Sequence, residues 1–313
     1  MSRSSPDPAA GPAPLYIAGP TAVGKSDLAL ALAERDNGEI ISVDSMQVYR
    51  GLDIGTAKPS AAERARVPHH LLDVAELTET FDAARFVAAA QQAVADIQAR
   101  GRRPIFCGGT GLYFKAYLEG LGSAPASVTA LRRELEMLPL PVLLHELAER
   151  DPITLARIDR HNLRRVVRAV EVIRLTGRPF SDQRAEWRSA ASLAADGPRC
   201  FCLTRPAADL RARIDARVEG MFAAGLVEET RRLQARGLAR NKTALQAIGY
   251  RQVIAHLRGE HGLAETIELV KTRTRQLAKR QLTWFRKHLA AQWVELRPGD
   301  GVAETLNLIT PLR

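Results

Sequence analysis

Residues Gly19 to Ser26, GPTAVGKS, carry two glycines, a lysine and a hydroxyl at the spacing Gly-x-x-x-x-Gly-Lys-Ser, a set of groups suited to cradling phosphate. Gly19 and Gly24 let the backbone through Pro20, Thr21, Ala22 and Val23 curl so that successive N–H groups face inward. Lys25 adds a point charge, and the Ser26 hydroxyl is placed to ligate Mg²⁺. The apolar run Leu15 to Ala18 reads as a buried strand, and Ser26 to Arg35 as a helix whose N-terminal dipole adds further positive potential. A glycine-rich turn that binds nothing is the alternative. Strand, turn and helix in this order argue against it, although the loop alone does not say which phosphate compound it holds; a nucleoside triphosphate is the default.

Asp44 follows a second apolar strand, Glu39 to Val43, and so stands at a carboxyl end, where open α/β sheets bind ligands. A Walker-B-type magnesium ligand is one reading of it. Such an acid more usually closes a later strand, and the next one, Pro104 to Cys107, runs into Gly108-Gly109-Thr110 with no acid. A carboxylate without metal duty is free to accept a proton. Arg213 and Arg217 lie four apart on one helix face, either as solvated surface arginines or as a clamp on a pyrophosphate. Arg164, Arg165 and Arg168 share another face while Val166, Val170 and Ile173 turn inward. Lys271, Arg275 and Lys279 repeat every four residues ahead of Trp284 and Phe285, which read as core aromatics.

These groups need a framework. The chain has 313 residues, 46% of them hydrophobic, enough for a large domain or a domain with an insertion. Lys and Arg number 45 against 35 Asp and Glu, giving a net charge of +10, which suits a polyanionic partner as well as it suits a merely basic enzyme. Cys107, Cys200 and Cys202 have no metal-ligand spacing, so reduced thiols in a cytoplasmic protein are expected, with no membrane partner. The N-terminal residues 1–13 read as a disordered tail.

The segment DSMQVYRGLDIGTAKP, from Asp44 to Pro59, is expected to be a loop over the site, followed by a long helix from about Phe81 to Arg100. Between 121 and 198 the pattern is helical only. The fold class is therefore α/β: a P-loop NTPase-like core of parallel sheet flanked by helices, residues 14–120 and 199–313, with an inserted all-helical domain, residues 121–198. Arg199 to Thr204 is expected to rejoin the sheet, and Leu210 to Ala224 and Ala264 to Leu289 to return to the core as helices.

GPTAVGKS, DSMQVYRGLDIGTAKP, PHHLLD, GGTGLYFKA, RRVVRAVEV, LQAIGYRQ and TRQLAKRQLTWFRK occur in this order from Leu15 to about Trp293. Together these blocks closely resemble the bacterial tRNA dimethylallyltransferases. The resemblance implies transfer of a dimethylallyl group from dimethylallyl diphosphate to the exocyclic N6 amine of the adenosine just 3′ of the anticodon in tRNA, with Mg²⁺. It implies that Asp44 is the general base, that Thr21 positions the amine and diphosphate, and that Lys25, Ser26 and Arg217 serve the diphosphate and magnesium. The loop would then hold a prenyl diphosphate despite its ATP-binding signature. Positions that contact tRNA in the family correspond to Asp44, Ser45, Met46, Gln47, Thr110, Arg132, Arg164, Arg165, Val166, Val167, Arg168, Leu245, Gln246, Ala247, Ile248, Gly249 and Tyr250. The spaced Cys and His of the eukaryotic zinc finger are missing, which points to a bacterial form, and a monomer is expected. The competing class is a P-loop small-molecule kinase or NTPase with an RNA-binding surface.

Overall fold

The computed structural model describes residues 11–185, 187, 199–241 and 243–309. Six strands form one parallel sheet: β1 (Leu15–Ala18), β2 (Gly38–Val43), β3 (His69–His70), β4 (Arg103–Gly108), β5 (Cys200–Thr204) and β6 (Gln292–Glu295), in the order β3-β2-β4-β1-β5-β6. Strands covered by helices on both faces read as mostly apolar runs, and β1 and β2 are buried at every position, Glu39 and Ser42 of β2 included. This is the P-loop NTPase-like α/β core expected from the sequence.

The helices are α1 (Lys25–Asp36), α2 (Ala61–Arg66), α3 (Ala83–Ala99), α4 (Gly111–Glu119), α5 (Thr129–Met137), α6 (Leu140–Arg150), α7 (Pro152–Arg157), α8 (Leu163–Thr176), α9 (Ala207–Ala223), α10 (Leu226–Ala235), α11 (Tyr250–Leu257), α12 (Leu263–His288) and α13 (Val302–Ile309). The chain divides into two compact units, Met1–Lys115 with Arg188–Arg313, and Ala116–Trp187. The first division falls inside α4, which itself runs on to Glu119 and stops at Gly120, the boundary expected for the insertion. Residues 186 and 188–198 of the expected insertion lie outside the described residues, as do residues 1–10 of the expected tail. Within the described part of that tail, Pro12 is held, its carbonyl accepting from the Gln98 side chain on α3 at 3.3 Å.

In the larger unit Ile17, Leu28, Leu32, Ile105, Leu203, Ile214, Val218 and Val294 belong to one buried cluster joining sheet to helices. β3 and β6 are edge strands of two and four residues, and only their pairing with β2 and β5 reveals them. The smaller unit has its own core of Leu135, Leu143, Leu147, Val166, Val167, Ala169, Val170 and Ile173. Its helices start where the sequence supplies caps: Asp151 accepts from the Thr154 N–H ahead of α7, and Asn162 accepts from the Arg165 N–H ahead of α8. α8 stops at Gly177, whose φ of 72° suits the left-handed C-terminal turn. Among the described residues no helix is long and apolar enough to cross a membrane.

Candidate active site

The loop from Gly19 to Ser26 joins β1 to α1. Gly19 has φ 151° and Gly24 φ 109°, and a Cβ on Gly19 would stand 2.9 Å from the Leu203 carbonyl oxygen, so both positions need glycine. Ala22 also takes a left-handed φ of 64°, which a non-glycine residue holds only when its surroundings enforce it.

Those surroundings are cations bound to loop carbonyls. Arg213 Nε on α9 donates to the Ala22 oxygen at 2.9 Å, and buried Arg205, just past β5, donates through Nε to the Val23 oxygen at 2.8 Å. In a trans peptide the carbonyl of one residue and the N–H of the next point in opposite directions. Turning the Ala22 and Val23 carbonyls towards arginines therefore turns the Val23 and Gly24 N–H groups the other way, as an anion site requires. Arg205 is itself held by Asp209 and the Arg297 carbonyl.

Lys25 Nζ donates to the Pro20 oxygen at 2.6 Å and has two further protons to offer. Burial lowers its pKa to about 8, against the opposing pull of Cys107 and Asp44, while Arg217 lowers it further. Arg217 lies with its Nη1 3.5 Å from the Thr21 hydroxyl. Desolvation, offset by Asp27 and reinforced by Arg213, lowers the Arg217 pKa as well. A bound anion would relieve the repulsion among these cations.

Ser26 begins the exposed edge of α1. As a metal donor it offers a single hydroxyl oxygen, and no group of three His, Cys, Asp or Glu lies together among the described residues. Such a site fits a hard cation that keeps several waters and takes its other ligands from the oxygens of a phosphate compound, as Mg²⁺ does.

Asp44 stands one residue past β2, its Oδ1 accepting the N–H groups of Met46 at 2.8 Å and Gln47 at 3.2 Å. This turn fixes the carboxylate plane and leaves Oδ2 without a protein donor among the described residues. The Thr110 hydroxyl accepts the Ser45 N–H at 3.0 Å, tying the end of β4 to the same turn. Gln47 is spent internally: Ser42 donates to its carbonyl oxygen and its amide donates to the Thr56 and Ala57 carbonyls.

The rest of the expected loop is anchored by two buried groups. The Glu229 carboxylate on α10 accepts the Ile54 N–H at 2.9 Å, the Gly55 N–H at 3.2 Å and the Tyr250 hydroxyl at 2.6 Å. Lys58 donates to the Tyr49 carbonyl and to Asp53 and Asp73. Tyr250, expected at a tRNA contact, is fully buried, and Ala247 and Gly249 are buried too. Within Leu245 to Tyr250 the exposed side chain is Gln246, with Leu245 and Ile248 half-buried. The loop needs a strut, and the tyrosine supplies it.

In the smaller unit Arg164 and Arg165 are exposed on α8, whereas Val166 and Val167 are core residues and offer no side-chain surface to a ligand. Arg168 and Arg132 both bond to Glu171, through Arg168 Nη1 at 2.9 Å and Arg132 Nη2 at 2.8 Å.

A family model described as IPP transferase matches residues 47–288. Over 90% of this chain and 93% of its own length, the tRNA dimethylallyltransferase 1 of Trichlorobacter lovleyi is 51% identical. This chain belongs to the IPP transferase family. The tRNA dimethylallyltransferase of Geobacter metallireducens is 47% identical over 93% of this chain and 96% of its own. Among solved structures, the full-length tRNA isopentenylpyrophosphate transferase of Bacillus halodurans matches with TM-score 0.68 and 39% identity, covering 95% of both chains. A eukaryotic dimethylallyltransferase acting on tRNA matches with TM-score 0.76 and 30% identity over 91% of this chain and 74% of that one.

Three site residues of this family member escape a reading of the sequence. Gln281, inside the block TRQLAKRQLTWFRK, accepts the Thr21 N–H at 2.9 Å and donates to the Gly109 carbonyl at 3.0 Å, clipping α12 to both loops. A Cβ on Gly109 would come 2.4 Å from the Gln281 amide, and one on Gly111 would come 2.1 Å from the Trp284 ring. The glycines after β4 are therefore spacers for α12. Arg205 and Glu229 are the other two, and nothing in their neighbours along the chain marks them. Conversely, the repeating cations Lys271 and Arg275 are paired to α9, Lys271 with Glu219 and Arg275 with Asp215, and so fix the helix that carries Arg213 and Arg217. The aromatics behind them divide, with Phe285 buried and Trp284 half-buried.

Proposed function

We propose that the chain transfers a dimethylallyl group from dimethylallyl diphosphate to N6 of the adenosine 3′-adjacent to the anticodon in tRNA. The observation that carries this reading is the pairing of a phosphate loop, shaped by Arg205 and Arg213, with a carboxylate, Asp44, that keeps one oxygen free. Membership of the family supplies the acceptor and the donor.

Breaking the allylic carbon–oxygen bond leaves positive charge on the prenyl carbon and negative charge on diphosphate. Fixed donors on the leaving group then lower the barrier: Lys25, Arg217 and the N–H groups of Val23 and Gly24. Mg²⁺, held by Ser26 and diphosphate oxygens, would add Lewis-acid stabilisation of the same charge. The N6 lone pair is delocalised into the purine, so the amine gains nucleophilicity as its proton passes to Asp44 Oδ2. Thr21, with its hydroxyl against Arg217, orients the diphosphate. The adenosine must leave its stack to be reached, and Arg164 and Arg165 provide exposed charge for the anticodon stem-loop.

Incubating the protein with Mg²⁺, tRNA and either dimethylallyl diphosphate or ATP, then weighing the released nucleosides, tests the reading. A gain of one dimethylallyl group on adenosine is the expected result. Release of γ-phosphate from ATP with unmodified adenosine would favour the kinase or NTPase class.

A further inference from the structure

Glu171 on α8 is fully buried, and four donors of the same unit surround it. Its Oε1 accepts the Ser127 hydroxyl at 2.5 Å and the Val128 N–H at 3.1 Å. Its Oε2 accepts Arg132 Nη2 at 2.8 Å and Arg168 Nη1 at 2.9 Å. Burial on its own would raise the carboxyl pKa, but the hydrogen bonds from Ser127 and Arg168 and the charge of Arg132 hold it below the usual range. The acid is therefore ionised although its side chain is fully buried.

A buried ion pair is a poor way to gain stability, since packed apolar side chains of similar volume do as well or better. What this carboxylate does that no apolar side chain does is bring guanidiniums from two different helices, α5 and α8, onto one oxygen. Two bare guanidiniums that close would repel each other. With the acid between them they stay together and keep a net single positive charge. Oε1 is locked by Ser127 and by the N–H of Val128, the N-cap residue of α5, so the direction of the carboxylate and the start of the arginine-bearing helix are set together.

Both arginine side chains stay partly exposed while bonded to the acid. Their side chains are 37% and 28% exposed for Arg132 and Arg168, respectively. Arg132 Nε is buried without a partner among the described residues, so Nη1 is the nitrogen of that fork not bonded to Glu171 and left to face a ligand, and Arg168 Nη2 is steadied by the Pro125 carbonyl. Two adjacent planar forks of this kind match the oxygens of one phosphate group.

We propose that Glu171 is a positioning residue for tRNA, holding Arg132 and Arg168 side by side as a double-guanidinium grip for one backbone phosphate. This rests on the tRNA reading given above.

The test exploits a conflict of sign. Deleting a buried negative charge beside a polyanion would tighten tRNA binding if only the field mattered, whereas loss of positioning weakens it. Glu171→Gln, with its fold checked by thermal melting, should raise the KM for tRNA about tenfold while kcat and the KM for dimethylallyl diphosphate stay within about twofold. Glu171→Asp, which restores the charge on a shorter stem, should recover part of the loss. An unchanged or lower tRNA KM in Glu171→Gln overturns the proposal.

Arg132→Ala and Arg168→Ala separate the two layers of the argument. If they raise the tRNA KM and Glu171→Gln does not, the positioning role falls and the tRNA face stands. If they and Arg165→Ala all leave tRNA binding intact, the tRNA reading of this face falls instead. Should Glu171→Gln not fold, Ser127→Ala keeps every charge and frees Oε1. A raised tRNA KM rescued by Ser127→Thr then supports the proposal, and an unchanged one overturns it.

Discussion

The two compact units use arginine in opposite ways. In the larger one Arg205 and Arg213 donate to backbone carbonyls, so cations turn a neutral loop until its N–H groups form an anion site. In the smaller one Arg132 and Arg168 share a buried carboxylate, so an anion holds cations at the surface. The first arrangement shapes a site from behind, and substitutions there should be felt by the donor. The second presents charge outward, and substitutions there should be felt by the nucleic acid. A basic residue's place in a charge cluster thus says little until its acceptor is known.

The largest expected effect lies on the larger unit. Asp44→Asn keeps an oxygen for the Met46 and Gln47 N–H groups but accepts no proton. General-base removal typically costs on the order of 10² to 10⁴ in rate, and single-turnover measurement at saturating substrates should show a loss of that size with near-normal binding of both substrates. A partial recovery at high Mg²⁺ would mark Asp44 as a metal ligand instead.

Next comes Arg205→Met, which removes the strut on the Val23 carbonyl. A hydrogen bond to a charged group is worth about 1.5–3 kcal/mol, roughly ten- to a hundredfold in donor KM, with the tRNA KM unchanged. An equal rise in both would erase the contrast between the units.

The pH dependence sharpens it further. Lys25, lowered to about 8 by burial, is charged below that pH and neutral above it, so kcat/KM for the diphosphate should fall as pH rises through about 8. The loss should approach about tenfold per pH unit well above the break, because that parameter reports the free enzyme. The profile for tRNA binding, which depends on arginines, should stay flat there. Lys25→Arg, which stays charged, should remove the break; a break surviving in that variant would assign it to another group.

The smallest effect belongs to Arg165→Ala on exposed α8. Its loss should reduce the slope of log affinity against log salt by roughly one unit for tRNA and leave donor kinetics alone. An unchanged slope would show Arg165 to be merely solvated.

How much of this was legible beforehand varies with the range of the contacts involved. The phosphate loop, β1, β2, β4 and the cap-bounded helices α7 and α8 depend on neighbours a few residues apart, and their glycines, capping side chains and apolar periodicity spell them out in order. Asp44 was legible for the same reason, since its strand delivers it directly. The tertiary structure alone decided which side chains serve the site from afar. Gln281 reaches Thr21, Arg205 reaches Val23 and Glu229 reaches Ile54 across long stretches of chain, and a lone glutamine, arginine or glutamate carries no local pattern of its own. It also decided that Tyr250 is a buried strut and that Lys271 and Arg275 are paired to α9, because burial and pairing belong to the partner as much as to the residue. The sequence by itself determined the framework and the placing of the groups proposed to react, where chemistry and local geometry coincide; the supporting contacts were settled only when the chain folded back on itself.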